Sequence, residues 1–315
     1  MDLRIFTEPQ QGASFATLLA AARATRDAGF SAFFRSDHLL AMGDGGPGSG
    51  APGPSESFVT LGAIAALVPD IRLGTLVTSA TFRHPSMLAM AAANVDEISG
   101  GRLELGIGSG WFEAEHRAYG IDFGASFGQR FDRLTEQLQI ITGLWDTPVG
   151  GTFSHTGHHF TLTDSPGLPK PAQIGRTGTP RTPIIMGGTG PKRTPALAAR
   201  FADEFNVPFG DRETVVRQRD RVIRACEAID RDPATMTFSL AQTMFLGRDD
   251  AQVARRIEAT GRDPRDPGAA GLAGTPEQVR EQLAAVAELG IDRYYLQVLD
   301  LADLEHIAFA GAELL

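Results

Sequence analysis

Short runs rich in Val, Ile, Leu and Phe alternate along the chain with longer stretches whose apolar residues recur at helical spacing. The short runs fall at Leu3–Thr7, Ala32–Ser36, Arg72–Ser79, Arg102–Ile107, Pro183–Met186, Glu204–Val207, Thr237–Leu246 and Arg293–Val298, and each predicts a strand. Helices are expected at Phe15–Ala28, Phe58–Val68, Met87–Ile98, Phe127–Leu144, Thr194–Ala202, Arg212–Ile229, Asp249–Ala259, Pro276–Leu289 and Leu301–Ala310, one of them surplus to eight strand–helix units. Ser14 is placed to cap the first helix and Gly29 to stop it. The connections are too long for hairpins, so the strands must pair in parallel. Eight such units in one chain predict a (β/α)8 TIM barrel, read as a single domain over residues 1–315. An open doubly wound sheet is the alternative, weakened because no G-x-G-x-x-G follows the first strand.

Two segments break the rhythm. Residues 146–182 are dominated by Pro, Gly and Thr around a hairpin-like Gly157–Leu162, and are expected to form an insertion on the barrel rim. The loop Gly43–Pro54 follows the second strand, which puts it at the C-terminal face where barrel active sites lie. With Phe112–Phe123 and Thr147–Thr182, it is expected to shape a substrate pocket.

Strand C-termini converge on that face, so the residues found there are the candidates for chemistry. The fifth strand runs into Gly187-Gly188-Thr189-Gly190-Pro191-Lys192-Arg193, directly before a helix. Glycines let backbone N–H groups approach a ligand, and the helix N-terminus favours an anion, so this reads as a phosphate cradle or as an ordinary tight turn. It is not a Walker A loop, because no G-K-[ST] is present. Gly106-Ile107-Gly108-Ser109-Gly110, after the fourth strand, leaves room for a flat ring, with Trp111 and Phe112 as an apolar wall. Asp37-His38 is the candidate acid–base pair, an imidazole tuned by a neighbouring carboxylate. A metal site from His38, His84 and His116 lacks any recognised ligand spacing, and none is expected. Glu113 and Glu115 lie in a short helix with no partner to name for a carboxylate pair. No G-x-S-x-G elbow is present.

Composition narrows the class. The formal net charge of −9 speaks against a nucleic-acid partner, and no run of 18 apolar residues exists to span a membrane. The lone cysteine, Cys226, sits in a helical apolar rhythm and reads as core. The chain opens directly into a strand without a basic and then apolar leader, so a cytoplasmic protein is expected.

Four segments carry a family resemblance: Ser36-Asp37-His38; Leu73–Pro85, which reads LGTLVTSATFRHP; Ser99–Trp111, which reads SGGRLELGIGSGW; and Pro183–Gly190, which reads PIIMGGTG. Arg130-Phe131-Asp132-Arg133-Leu134 and Gly274–Val279 add to it. The chain resembles the luciferase-like barrel oxidoreductases, in particular those that use coenzyme F-420, an 8-hydroxy-5-deazaflavin. The resemblance implies hydride transfer between that cofactor and a small organic substrate, with an FMN-dependent monooxygenase as one alternative and a non-catalytic flavin-binding protein as another. It implies that Asp37 and His38 face the ring, His38 handling the proton. A non-proline cis peptide at Leu76–Val77 would stand behind the ring, and Ser79 would bond its edge. Gly108 and Ser109 would lie beside it, and Gly187, Gly188, Thr189 and Gly190 would hold the phosphate. Related sugar-phosphate dehydrogenases place a catalytic Glu after the fourth strand's glycines. Here that position is Trp111, which implies a more apolar substrate. Family habit implies a homodimer.

Overall fold

The computed structural model describes residues 1–43, 49–265 and 271–315. Part of the expected loop Gly43–Pro54 (44–48) therefore lies outside the described residues. Eight parallel strands close on themselves: β1 (Asp2–Thr7), β2 (Ala32–Arg35), β3 (Arg72–Thr75) continued by β4 (Thr78–Ser79), β5 (Leu103–Gly108), β8 (Ile184–Gly187), β9 (Glu204–Pro208), β10 (Thr237–Leu246) and β12 (Arg293–Val298). The ring is sealed by β1 against β12, in register from Asp2↔Arg293 to Thr7↔Val298. Around it lie α1 (Phe15–Asp27), α2 (Ser57–Leu67), α3 (Pro85–Ser99), α5 (Phe127–Asp146), α6 (Arg193–Phe201), α7 (Arg212–Glu227), α8 (Asp250–Ala259), α9 (Pro276–Ala287) and α10 (Leu304–Leu314). Ser14 caps α1 by accepting from the Thr17 N–H, and Gly29 follows that helix at φ +90°. A short strand the pattern did not foresee, β11 (Leu272–Gly274), pairs with the end of β10 between α8 and α9.

The third strand is not continuous as expected. Against β5, Gly74 pairs with Glu104, an offset of 30, but Thr78 pairs with Ile107, an offset of 29. One residue is therefore extra, a bulge centred on Leu76–Val77, and the peptide between those two residues is cis. Glycines opposite accommodate it. A Cβ on Gly106 would lie 2.0 Å from the Thr75 carbonyl oxygen, and one on Gly108 3.1 Å from Val77 Cγ2.

Inside the barrel, Phe6, Phe34, Leu76, Ile185, Ala241 and Tyr295 form an apolar plug. Towards the strands' N-terminal ends the interior is ionic. Arg4 donates to Glu104 at 2.7 Å, Arg293 to Glu204 at 2.6 Å, and Arg72 also holds Glu104. The larger apolar layer lies between strands and helices.

The insertion lies elsewhere than the pocket expectation required. It leaves the C-terminus of α5, so it starts at the N-terminal rim of the barrel, because helix-to-strand connections lie opposite the catalytic mouth. Gln173 is bound there to Asp96 and to the Leu103 carbonyl. The hairpin β6 (Phe153–Thr156) and β7 (Thr161–Ser165) climbs the outer flank, its tip fastened by the Glu136 carboxylate to the N–H groups of His158, His159 and Phe160. No residue of 147–182 lines the cavity at the mouth.

Candidate active site

A cavity of about 1600 Å³ opens at the C-terminal ends of the strands. Drug-sized ligand sites span roughly 300–1,000 Å³, so there is room for two molecules. Asp37, His38, Leu76, Val77, Ser79, Gly108, Ser109, Trp111, Gly187, Gly188, Thr189 and Gly190 all line it. Phe112, expected beside them, does not. It precedes the short helix α4 (Glu113–Tyr119) and stacks behind Trp111 with ring centroids 5.3 Å apart, because consecutive residues here turn from the cavity into the wall.

Asp37 and His38 leave β2 side by side but have different partners. Asp37 is fully buried. Its carboxylate accepts from Thr78 Oγ1 at 2.6 Å, from Arg83 Nη2 at 3.1 Å and from Arg83 Nη1. Burial alone would raise its pKa, but Arg83 and Thr78 overcome that and hold it below the usual carboxylate range. Asp37 is thus a fixed anion bracing the mouth and, contrary to the expectation from its place beside His38 in sequence, is not the carboxylate that meets the imidazole. That partner is Glu115 of α4. Its carboxylate meets His38 Nδ1 at 3.1 and 3.2 Å and accepts the Leu39 N–H at 2.8 Å. The Trp111 ring stands edge-on to the imidazole at 5.5 Å and that of Phe112 at 6.0 Å.

Two further groups of the mouth were not singled out from sequence. Glu8, at the end of β1, lines the cavity and accepts from Gln10 Nε2 at 3.0 Å. Burial pushes its carboxyl above the usual range, while His38 draws it down. Arg83 joins Asp37 to Glu56 and lies over the Phe58 ring at 5.0 Å. His84 and His116 do not join His38. His84 bonds Ser86, and His116 bonds Thr81 Oγ1 at 2.5 Å and the Phe112 carbonyl at 2.8 Å.

The glycine run after β8 has the shape of an anion cradle. Gly188 sits at φ +133°, open to glycine only, and a Cβ on Gly190 would lie 2.6 Å from Thr194 Oγ1. Helices α1, α5, α7 and α8 each begin with a side-chain oxygen on the first-turn N–H groups; α6, which follows the cradle, has no such cap. Its first N–H groups thus have no side-chain acceptor of their own, the condition under which a helix start takes an external anion. Of the two basic residues there, Arg193 is turned to Asp132 at 2.5 Å and the Gly128 carbonyl, which leaves Lys192 at the helix start. The apolar Leu76–Val77 bulge offers a flat backing across the floor. Glycine run, bulge and imidazole all border the one cavity, a set of groups whose chemistry fits a phosphorylated planar cofactor.

The chain belongs to the luciferase-like monooxygenase family, whose model matches residues 1–265. It is 30% identical over 247 residues to the F420-dependent hydroxymycolic acid dehydrogenase of Mycobacterium tuberculosis (strain ATCC 25618 / H37Rv), covering 76% of this chain and 62% of that one. It is 33% identical over 156 residues to the pyrimidine monooxygenase RutA of Escherichia coli (strain K12), covering 49% of this chain and 37% of that one. The chain thus spans less than two thirds of the length of either relative. Among solved structures, an F420-dependent secondary alcohol dehydrogenase in complex with an F420-acetone adduct superposes with a TM-score of 0.81 at 16% identity, over 99% of this chain and 98% of the other.

Proposed function

We propose that this protein is a coenzyme F-420-dependent oxidoreductase that interconverts an alcohol and a carbonyl compound. The observation that carries the proposal is the likeness, over 76% of the chain, to a dehydrogenase named for that cofactor. Gly187–Gly190 and the start of α6 hold the phosphate, Leu76 and Val77 back the ring, and Ser79, Gly108 and Ser109 border it. When bound, the deazaflavin supplies a two-electron hydride carrier that activates oxygen poorly. His38 gives a proton to the substrate oxygen or takes one from it, and Asp37 with Arg83 keeps the β2 end in place. Trp111, Phe127 and Phe209, exposed by 64%, 58% and 55% at the cavity mouth, favour an apolar substrate over a sugar phosphate. The likeness to a pyrimidine monooxygenase favours a second reading, an FMN-dependent monooxygenase on the same barrel.

The working unit in this reading is a cytoplasmic homodimer. The outward faces of α2 and α3 carry Val59, Leu67, Met87, Met90 and Ile98, all exposed, and an apolar patch of this kind suits a second copy across a two-fold axis. Among the described residues no helix is long and apolar enough to cross a membrane.

The test is turnover of reduced and oxidised coenzyme F-420 against a panel of apolar ketones and secondary alcohols. His38→Asn should lower kcat by about 10²–10⁴-fold while the cofactor still binds. Unchanged turnover in that variant would remove His38 from the chemistry.

A further inference from the structure

His38 and Glu115 are 77 residues apart in sequence, yet the carboxylate lies within hydrogen-bond distance of one ring nitrogen. The Glu115 side chain is 2% exposed and that of His38 17%. Within the described residues Glu115 has two hydrogen-bond donors, His38 Nδ1 and the Leu39 N–H, and no Lys or Arg pairs with it. A buried carboxylate in that position needs hydrogen from both. The imidazole must therefore carry its proton on Nδ1 when neutral. Nε2, which has no hydrogen bond to the described residues, is then left as a lone pair on a ring that lines the cavity.

We propose that Glu115 is the positioning residue of this site: it fixes His38 as the Nδ1–H tautomer and balances the imidazolium formed when Nε2 takes a proton. The inference rests on the reading of His38 as the proton carrier. In the oxidising direction the substrate O–H proton passes to Nε2, the carbinol C–H leaves as a hydride to the deazaflavin, and the C–O bond becomes C=O. In the reducing direction both transfers reverse. A carboxylate–imidazole pair of this kind orients the ring and offsets its charge without being protonated itself. Helix α4 is only seven residues long, and it is fixed in place by His116, which bonds Thr81 Oγ1 and the Phe112 carbonyl. Trp111 and Phe112 close the ring's flanks just before it. Among the described residues Glu8, just after β1, also interacts electrostatically with His38.

The deciding measurement is ¹⁵N NMR of histidine-labelled protein without cofactor, near pH 8, with the His38 signals assigned by their loss in His38→Asn. The chain has seven histidines, so the spectrum is tractable. The wild type should show protonated Nδ1 and bare Nε2. Glu115→Gln, whose single acceptor oxygen goes to the Leu39 N–H and whose amide then faces Nδ1, should shift His38 towards the Nε2–H form. Turnover should follow, with kcat down by about 10²-fold, KM for the alcohol little changed, and partial recovery in Glu115→Asp. A wild-type spectrum with the proton on Nε2, or an unchanged tautomer in Glu115→Gln, overturns the proposal. If the tautomer behaves as stated but His38→Asn leaves turnover intact, the positioning holds and the role of His38 in the reaction fails instead.

Discussion

Removing the cation from the Asp37–Arg83 pair should leave a buried negative charge beside the active site, and the pH dependence of the damage identifies the cause. Arg83→Met keeps most of the side-chain stem that lies over Phe58 and removes the guanidinium. Asp37 then retains the Thr78 hydroxyl, at 2.6 Å, and the charge of nearby Arg35. Burial lowers Arg35 only to about 10, so it remains a cation at neutral pH. Deleting one partner of a buried pair costs roughly 3–5 kcal/mol, and the surviving partners place this case near 3 kcal/mol at pH 7. For a chain of this size that corresponds to a fall in Tm of about 4–5 °C. In the wild type the carboxyl lies below its unfolded value, so its contribution is present above about pH 4 and is lost only as pH falls through the folded value. In the variant, burial, the largest influence on this carboxyl, outweighs Thr78 and Arg35 and raises it above its unfolded value. The deficit should therefore be full at pH 7 and shrink towards pH 5 as the group takes up a proton. Urea unfolding at the two pH values, followed by fluorescence of buried Trp145, measures it. Adding Asp37→Asn to Arg83→Met should restore at least half of the loss. A deficit below about 1 kcal/mol at pH 7, or one equal at both pH values, would refute the assignment of Asp37 as a charge held ionised by Arg83.

Two other perturbations probe separate parts of the molecule. Gly190→Val places its branch against Thr194 at the start of α6, and coenzyme F-420 should bind at least about tenfold more weakly with thermal stability nearly unchanged; unaltered affinity would move the phosphate elsewhere. Val59→Glu puts a charge on the exposed apolar face of α2, and sedimentation should change from dimer to monomer; a wild type that sediments as a monomer would dispose of the dimer.

Local pattern carries the barrel and much of its mouth. The eight strands are legible because runs such as Ile5-Phe6 and Phe33-Phe34 are buried on both faces and so read as continuous apolar stretches. The glycines after β8 are legible because close backbone approach and the start of a helix each leave a local mark. What stayed hidden depends on pairing across sequence. Arg83 meets Asp37 over 46 residues, Glu115 meets His38 over 77 and Arg4 meets Glu104 over 100. No period of 2 or 3.6 encodes such partners. The same holds for Gly106. From sequence its lack of a side chain suggests room for a ligand, whereas the space is taken by the Thr75–Val77 bulge of the neighbouring strand. Composition marks 146–182 as a rim insertion but not which rim it occupies; that follows from the element it leaves, and 146–182 leaves a helix.

The proposed hydride chemistry depends first on which cofactor the mouth accepts. Titration of the purified protein with oxidised coenzyme F-420 and with FMN in parallel, followed by fluorescence and by calorimetry, tests that directly. Saturable binding of coenzyme F-420 with no comparable uptake of FMN is the expected result. Tight binding of FMN with none of the deazaflavin would contradict it and make oxygen the co-substrate.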